Sequence, residues 1–286
     1  MTQPTMTEAV YYAQGATPFY ACQADPRFSF CLYVPRAYHE DETRTWPLAV
    51  IVHGTGRVAS EYRTAFADFA EKHGCVILAP LFPGGIAAPW ELNSYKWMKH
   101  GDLRFDRVLL AMIEEVGARF RVETGRFLIH GFSGGGHFSH RFFYLHPNRL
   151  LGVSIGAPGV VTLLDQEHDF WVGVRDLEAQ FGTAIDLEAM RRVPVLMTVG
   201  GDDTETWEIT ITPESRLWMP GCDLAGANRQ DRMRSLKAGF ERHGIAVRHV
   251  VVPEIGHEGF KLLDPVKAFF AETLAARQIA AGAGGA

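Results

Sequence analysis

Short apolar runs recur along the chain, and segments of helical period separate them. Phe28–Val34 reads as a strand, ended by Pro35. Leu48–Val52 is a short β-rich run that stops at His53-Gly54, and Cys75–Ala79 is another that stops at Pro80. Arg104–Phe120 has helical spacing, with Val108, Leu109, Met112, Ile113 and Val116 on one side. Phe127–Ile129 is strand-like and runs into a glycine cluster; Gly135–Leu145 then reads as a helix stopped near Pro147. Leu150–Ile155 and Val193–Val199 are two further buried-strand candidates. Arg229–His243 reads as a helix closed by Gly244, Ala246–Val252 as a strand and Pro265–Ala276 as a last helix. Such alternation predicts an α/β fold, a mostly parallel sheet covered by helices on both faces.

Two stretches break the alternation. Residues 158–192 are aromatic in their middle (Phe170, Trp171, Phe181) and poor in strand signals, so they read as a small helical cap or lid. Thr204–Ala227 carries Trp207 and Trp218 and reads as an excursion beside that cap. The expectation is one domain over residues 1–277, with the opening dozen loosely held. The Ala/Gly-rich residues 278–286 are expected to form a flexible tail.

Composition narrows the function classes. The chain has 286 residues, 28 Lys plus Arg and 33 Asp plus Glu, a net charge of −5. A mildly acidic chain without a basic block is a poor partner for nucleic acid or an anionic membrane. No apolar run approaches the ~18 residues of a membrane span, and no secretory signal is seen. The four cysteines, Cys22, Cys31, Cys75 and Cys222, form no C-x-x-C pair and have no zinc-ligand spacing. Cys75 reads as core, and Cys22 and Cys31 could meet only across a hairpin. The expected compartment is therefore the reducing cytoplasm, with no metal.

Gly131-Phe132-Ser133-Gly134-Gly135 matches G-x-S-x-G, and it sits between a strand and a helix. There a serine takes a strained conformation in a tight turn and stands at a helix N-terminus. A serine hydroxyl needs a base. Of the 12 histidines, His257 alone follows the last strand and precedes the final helix. His53 and His130 read as structural residues at strand ends, and His137 or His140 as a pocket residue. The strand Val193–Val199 ends in Gly200-Gly201-Asp202-Asp203. Asp203 is favoured over Asp202 as the acid that would orient His257. The developing oxyanion would be held by the Gly134 N–H and the Thr55 N–H, with Gly54 or Gly56 as alternatives to Thr55.

With His53-Gly54-Thr55-Gly56, the 131–135 elbow, Asp203 and Gly256-His257 in this order, the chain resembles the α/β-hydrolase superfamily over residues 25–277. Within it the chain is similar to small serine esterases and polyhydroxyalkanoate-depolymerase-like hydrolases. The resemblance implies a mostly parallel central sheet flanked by helices, with the 158–192 cap after the sixth strand. It implies a carboxylic-ester hydrolase that works through an acyl-enzyme and needs no metal or organic cofactor. Ser133 in place of an aspartate argues against haloalkane dehalogenase or epoxide hydrolase chemistry. Phe132, Trp90, Tyr95, Trp97 and Trp171 are the expected substrate-side residues, and they favour a small apolar or aromatic ester as the partner. Amide, lactone or carbon–carbon hydrolysis and a non-catalytic binding protein are the alternatives, and a homodimer stays open.

Overall fold

The computed structural model describes residues 12–283. Its strands are β1 (Gly15–Ala16), β2 (Tyr20–Ala21), β3 (Ser29–Val34), β4 (Leu48–Val52), β5 (Val76–Leu81), β6 (Lys99–His100), β7 (Leu103–Arg104), β8 (Phe127–Phe132), β9 (Leu150–Gly156), β10 (Val195–Gly200) and β11 (Val247–Val252). Nine of them form one sheet in the order β1-β3-β5-β4-β8-β9-β10-β11, with β2 beside β3. From β5 to β11 the neighbours are parallel, whereas β1, β2 and β3 pair antiparallel. The central strands β4, β8, β9 and β10 are buried along their whole length, as parallel strands covered on both faces must be. Helices Ala59–Ala65, Phe105–Arg119, Gly134–Leu145, Arg229–Arg242 and Leu263–Ala283 pack on the sheet.

This topology places chemistry at one rim. Parallel strands end on the same side, so the turns after β4, β8, β10 and β11 are neighbours there. Residues 53–57, Ser133, 201–203 and 253–257 occupy those turns.

Several details differ from the sequence reading. β5 runs through Pro80 instead of stopping before it. It is paired to β4 only over Val76–Leu78, so at Pro80 that side demands no N–H. The last helix, expected to stop near Ala276 before a flexible tail from 278, continues to Ala283, because Arg277, Gln278 and the alanines that follow are good helix formers. Residues 284–286 and the first eleven lie outside the described residues. The segment 158–192 follows β9, the seventh strand of the main sheet in chain order once β1 and β2 are counted. It carries two short helices, Leu177–Phe181 and Leu187–Arg191. Among the described residues no helix is long and apolar enough to cross a membrane.

Candidate active site

Ser133 sits between β8 and the helix Gly134–Leu145 with φ 55° and ψ −115°. That conformation is unfavourable for a side-chain-bearing residue and marks stored strain. It persists because its surroundings fix it. The Ser133 N–H donates to Gly156 O at 2.8 Å, and the Ser133 carbonyl already accepts from His137 N at 3.0 Å. The turn is so tight that a Cβ on Gly131 would overlap the Gly135 carbonyl. The serine side chain opens into a cavity of about 210 Å³.

The loop after β4 lies beside this elbow. A Cβ placed on Gly54 would be 3.7 Å from Ser133 Cβ. A Cβ on Gly134 would overlap the Tyr95 hydroxyl and stand 2.9 Å from Lys96 Cε and 3.2 Å from Thr55 N. The Thr55 and Gly134 amides are thus near neighbours. The first N–H groups of a helix have no acceptor inside it, and the Thr55 N–H donates to nothing among the described residues. Arg57 fixes the loop from behind, donating from Nη1 to Thr55 O at 2.5 Å and from Nε to Phe82 O at 3.2 Å. His53 holds its start: Nδ1 donates to Gly54 O at 2.7 Å and Nε2 accepts from Phe82 N at 3.0 Å. Full burial lowers its pKa to about 4, so the ring stays neutral.

Asp203 and His257 meet at the neighbouring strand ends. His257 Nδ1 lies 2.6 Å from Asp203 Oδ2. A carboxylate only accepts, so Nδ1 carries the proton of this bond. Asp203 is buried, and its other oxygen accepts from Arg229 Nη1 at 3.2 Å. Arg229 in turn donates from Nη2 to Glu208 Oε2 at 2.6 Å. Asp202 is exposed, and among the described residues no hydrogen bond joins its carboxylate to His257. The His257 ring packs on Phe132, the neighbour of Ser133, with centroids 4.6 Å apart. Ser133 Oγ and His257 form no hydrogen bond in this structure; in free enzymes such contacts are often long and tighten when substrate arrives.

The expected substrate-side aromatics take different places. Trp97 lines the cavity. Trp171 stands behind it, 5.5 Å between centroids, and donates to Leu217 O at 2.9 Å. Tyr95 is buried against Phe82 and His53 and supports the Thr55 loop. Trp90 is 94% exposed and does not line the cavity. The apolar part of the lining is Val160, Trp97, Ile209, Ile211 and Leu217. The rest is polar and includes Lys96, Asn93, His137, Glu208 and Arg229, a polarity the aromatic-rich loops did not suggest. The segment 204–227 supplies more of the wall than 158–192, which contributes Gly159 and Val160.

No family model and no curated protein matches the chain. Solved structures do. Poly(aspartic acid) hydrolase-1 from Sphingomonas sp. KT-1 superposes with a TM-score of 0.71 at 20% identity, covering 89% of this chain and 98% of that one. A poly(3-hydroxybutyrate) depolymerase from Bordetella parapertussis gives 0.67 at 23% identity, covering 85% and 83%. An S-formylglutathione hydrolase from Agrobacterium tumefaciens gives 0.59 at 15% identity, covering 91% and 95%. At these identities the likeness establishes the fold: the chain has the α/β-hydrolase fold.

Proposed function

We propose that this protein is a serine hydrolase that cleaves a carboxylic ester through an acyl-enzyme. One observation carries the reading. The His257–Asp203 pair, joined at 2.6 Å, packs against the residue next to a strained elbow serine. By analogy of fold, the poly(3-hydroxybutyrate) depolymerase among the structural neighbours supports ester cleavage, and the other two named enzymes support hydrolysis.

In the first half-reaction His257 Nε2 takes the Ser133 proton while Oγ bonds to the ester carbonyl carbon. Negative charge moves onto the carbonyl oxygen, where the Thr55 and Gly134 amides receive it. The carbon–oxygen bond to the alcohol then breaks, and the imidazolium protonates the departing oxygen. Water enters, gives a proton to His257 and attacks the acyl carbon. Collapse releases the acid and returns the proton to Ser133. Asp203, held by Arg229, orients His257 and stabilises the imidazolium in both halves.

The substrate is a small molecule whose apolar body lies on the Trp97, Ile209 and Leu217 wall. Four free cysteines support a reducing compartment, the cytoplasm. The reading is tested with short-chain p-nitrophenyl esters on the wild type and Ser133→Ala. Turnover abolished by the substitution is expected. Equal turnover in both proteins would refute the role of Ser133, and turnover of amides but not esters would correct the bond type.

A further inference from the structure

Several cations surround the Ser133 cavity with no carboxylate ion-pair partner among the described residues. Arg57 spends its guanidinium on the carbonyls of Thr55, Phe82 and Leu92. Arg141 is buried, donates to Thr162 Oγ1 at 2.9 Å and Lys96 O at 2.7 Å, and lies 4.5 Å from the centroid of the Trp97 ring. Arg232 donates to the carbonyls of Gly226, Gly159 and Ile209. Each arginine braces a piece of the cavity wall.

Lys96 differs from these three. Its side chain lines the cavity itself while the residue is 9% exposed. Its ammonium has one acceptor, the neutral Asn93 Oδ1 at 2.6 Å. An ammonium carries three donors, so two are left for whatever enters. Glu208, the carboxylate that lines the cavity, is already bonded to Arg229. A buried cation with no carboxylate bonded to it is costly and is relieved by a ligand of opposite charge. Burial first, then Arg57 and Arg141, lower the Lys96 pKa to about 8, while Glu208 and Glu91 oppose them. The chain as a whole is acidic at −5, so this positive character is local to the cavity. The Thr55 hydroxyl, buried in the same wall, also lacks a partner.

We propose that the Ser133 cavity selects esters that carry a carboxylate near the scissile bond, and that Lys96 is the residue that binds this carboxylate. The proposal rests on the ester-hydrolase reading and adds the substrate class to it. The carboxylate belongs to the acyl part or to the alcohol part, and paired esters separate the two. Monoethyl glutarate against ethyl pentanoate probes the acyl side. Para-acetoxybenzoate against its methyl ester probes the alcohol side.

In the wild type the charged member of one pair is expected to have the higher kcat/KM. In Lys96→Met the charged-to-neutral ratio is expected to fall about 30-fold, chiefly through KM, the loss of one charged hydrogen bond. Preference for the neutral member in both pairs would overturn the proposal, as would an equal loss on both members. A second measurement needs no turnover and no variant. Glutarate is expected to slow fluorophosphonate labelling of wild-type Ser133 where pentanamide at the same concentration does not. Absence of that protection would overturn the carboxylate site. Absence of any labelling of Ser133 would instead refute the hydrolase reading beneath it.

Discussion

Asp203 Oδ2 and His257 Nδ1 lie 2.6 Å apart, although they are 54 positions apart in the chain. Their strands, β10 and β11, are parallel neighbours paired to their last residues, Gly200 with Val252. The register brings the two following turns side by side. The Asp202 N–H donates to Ile255 O at 2.9 Å, which ties one turn to the other. Asp202 thus serves the turn with its backbone while Asp203 points its carboxylate inward, where the His257 ring is 24% exposed and the carboxylate wholly buried.

Asp203→Asn is expected to lower kcat about 10⁴-fold, because an amide donor in place of the carboxylate stabilises the wrong tautomer and no imidazolium. Asp202→Asn, at an exposed position, is expected to stay within about 3-fold of wild type. Steady-state kinetics on the two variants decide the assignment. A larger loss in the Asp202 variant would reverse it.

Arg229→Met is expected to destabilise the protein by about 3 kcal/mol. Its guanidinium is 2% exposed and holds the buried oxygen of Asp203, which would be left with His257 alone. Urea unfolding of wild type and variant measures the difference. An unchanged midpoint would show that Arg229 does not support Asp203.

Gly134→Ala tests the oxyanion site. The added methyl must displace the Tyr95 hydroxyl, Lys96 or the Thr55 backbone. Loss of one oxyanion donor costs about 10²–10³-fold in kcat. That loss, with a near-native circular dichroism spectrum, is the expected result. Full activity would remove the Thr55–Gly134 pair from the mechanism.

Stability is expected to fall as pH drops from about 6.5, the ordinary histidine value, toward 5. Burial lowers the pKa of His53 to about 4 and of His130 to about 3, and it holds His137 and His140 well below the usual value. The unfolded chain protonates these rings near 6.5 while the folded chain does not, so acid favours unfolding. Each ring contributes up to about 1.4 kcal/mol per pH unit in that window. Urea midpoints at pH 7, 6 and 5 give the slope. A flat profile would mean that these imidazoles are not held neutral.

Much of this geometry was legible in local pattern. β4, β8 and β10 are short apolar runs because they are buried on both faces, and their ends announce themselves as His53-Gly54, the Ser133 elbow and Gly200-Gly201. The helices Ala59–Ala65 and Ala67–His73 carry no clear sequence signal, although Tyr62, Phe66, Phe69 and Ala70 have helical spacing and are buried. Each is too short for periodicity to stand out. Trp90 shows the opposite failure: a loop aromatic has no pattern that says which way it points. Lys96, Glu208 and Arg229 were invisible as cavity residues. They come from a single turn of 3₁₀ helix, an irregular segment and a helix start, and only the folded chain brings them together.

Mass spectrometry of the intact protein and its peptides after fluorophosphonate treatment tests the central claim most directly. One adduct is expected, on the hydroxyl of Ser133, absent from Ser133→Ala and formed far more slowly in His257→Ala. Labelling at another residue, or an unlabelled Ser133 in a protein that still hydrolyses esters, would contradict it.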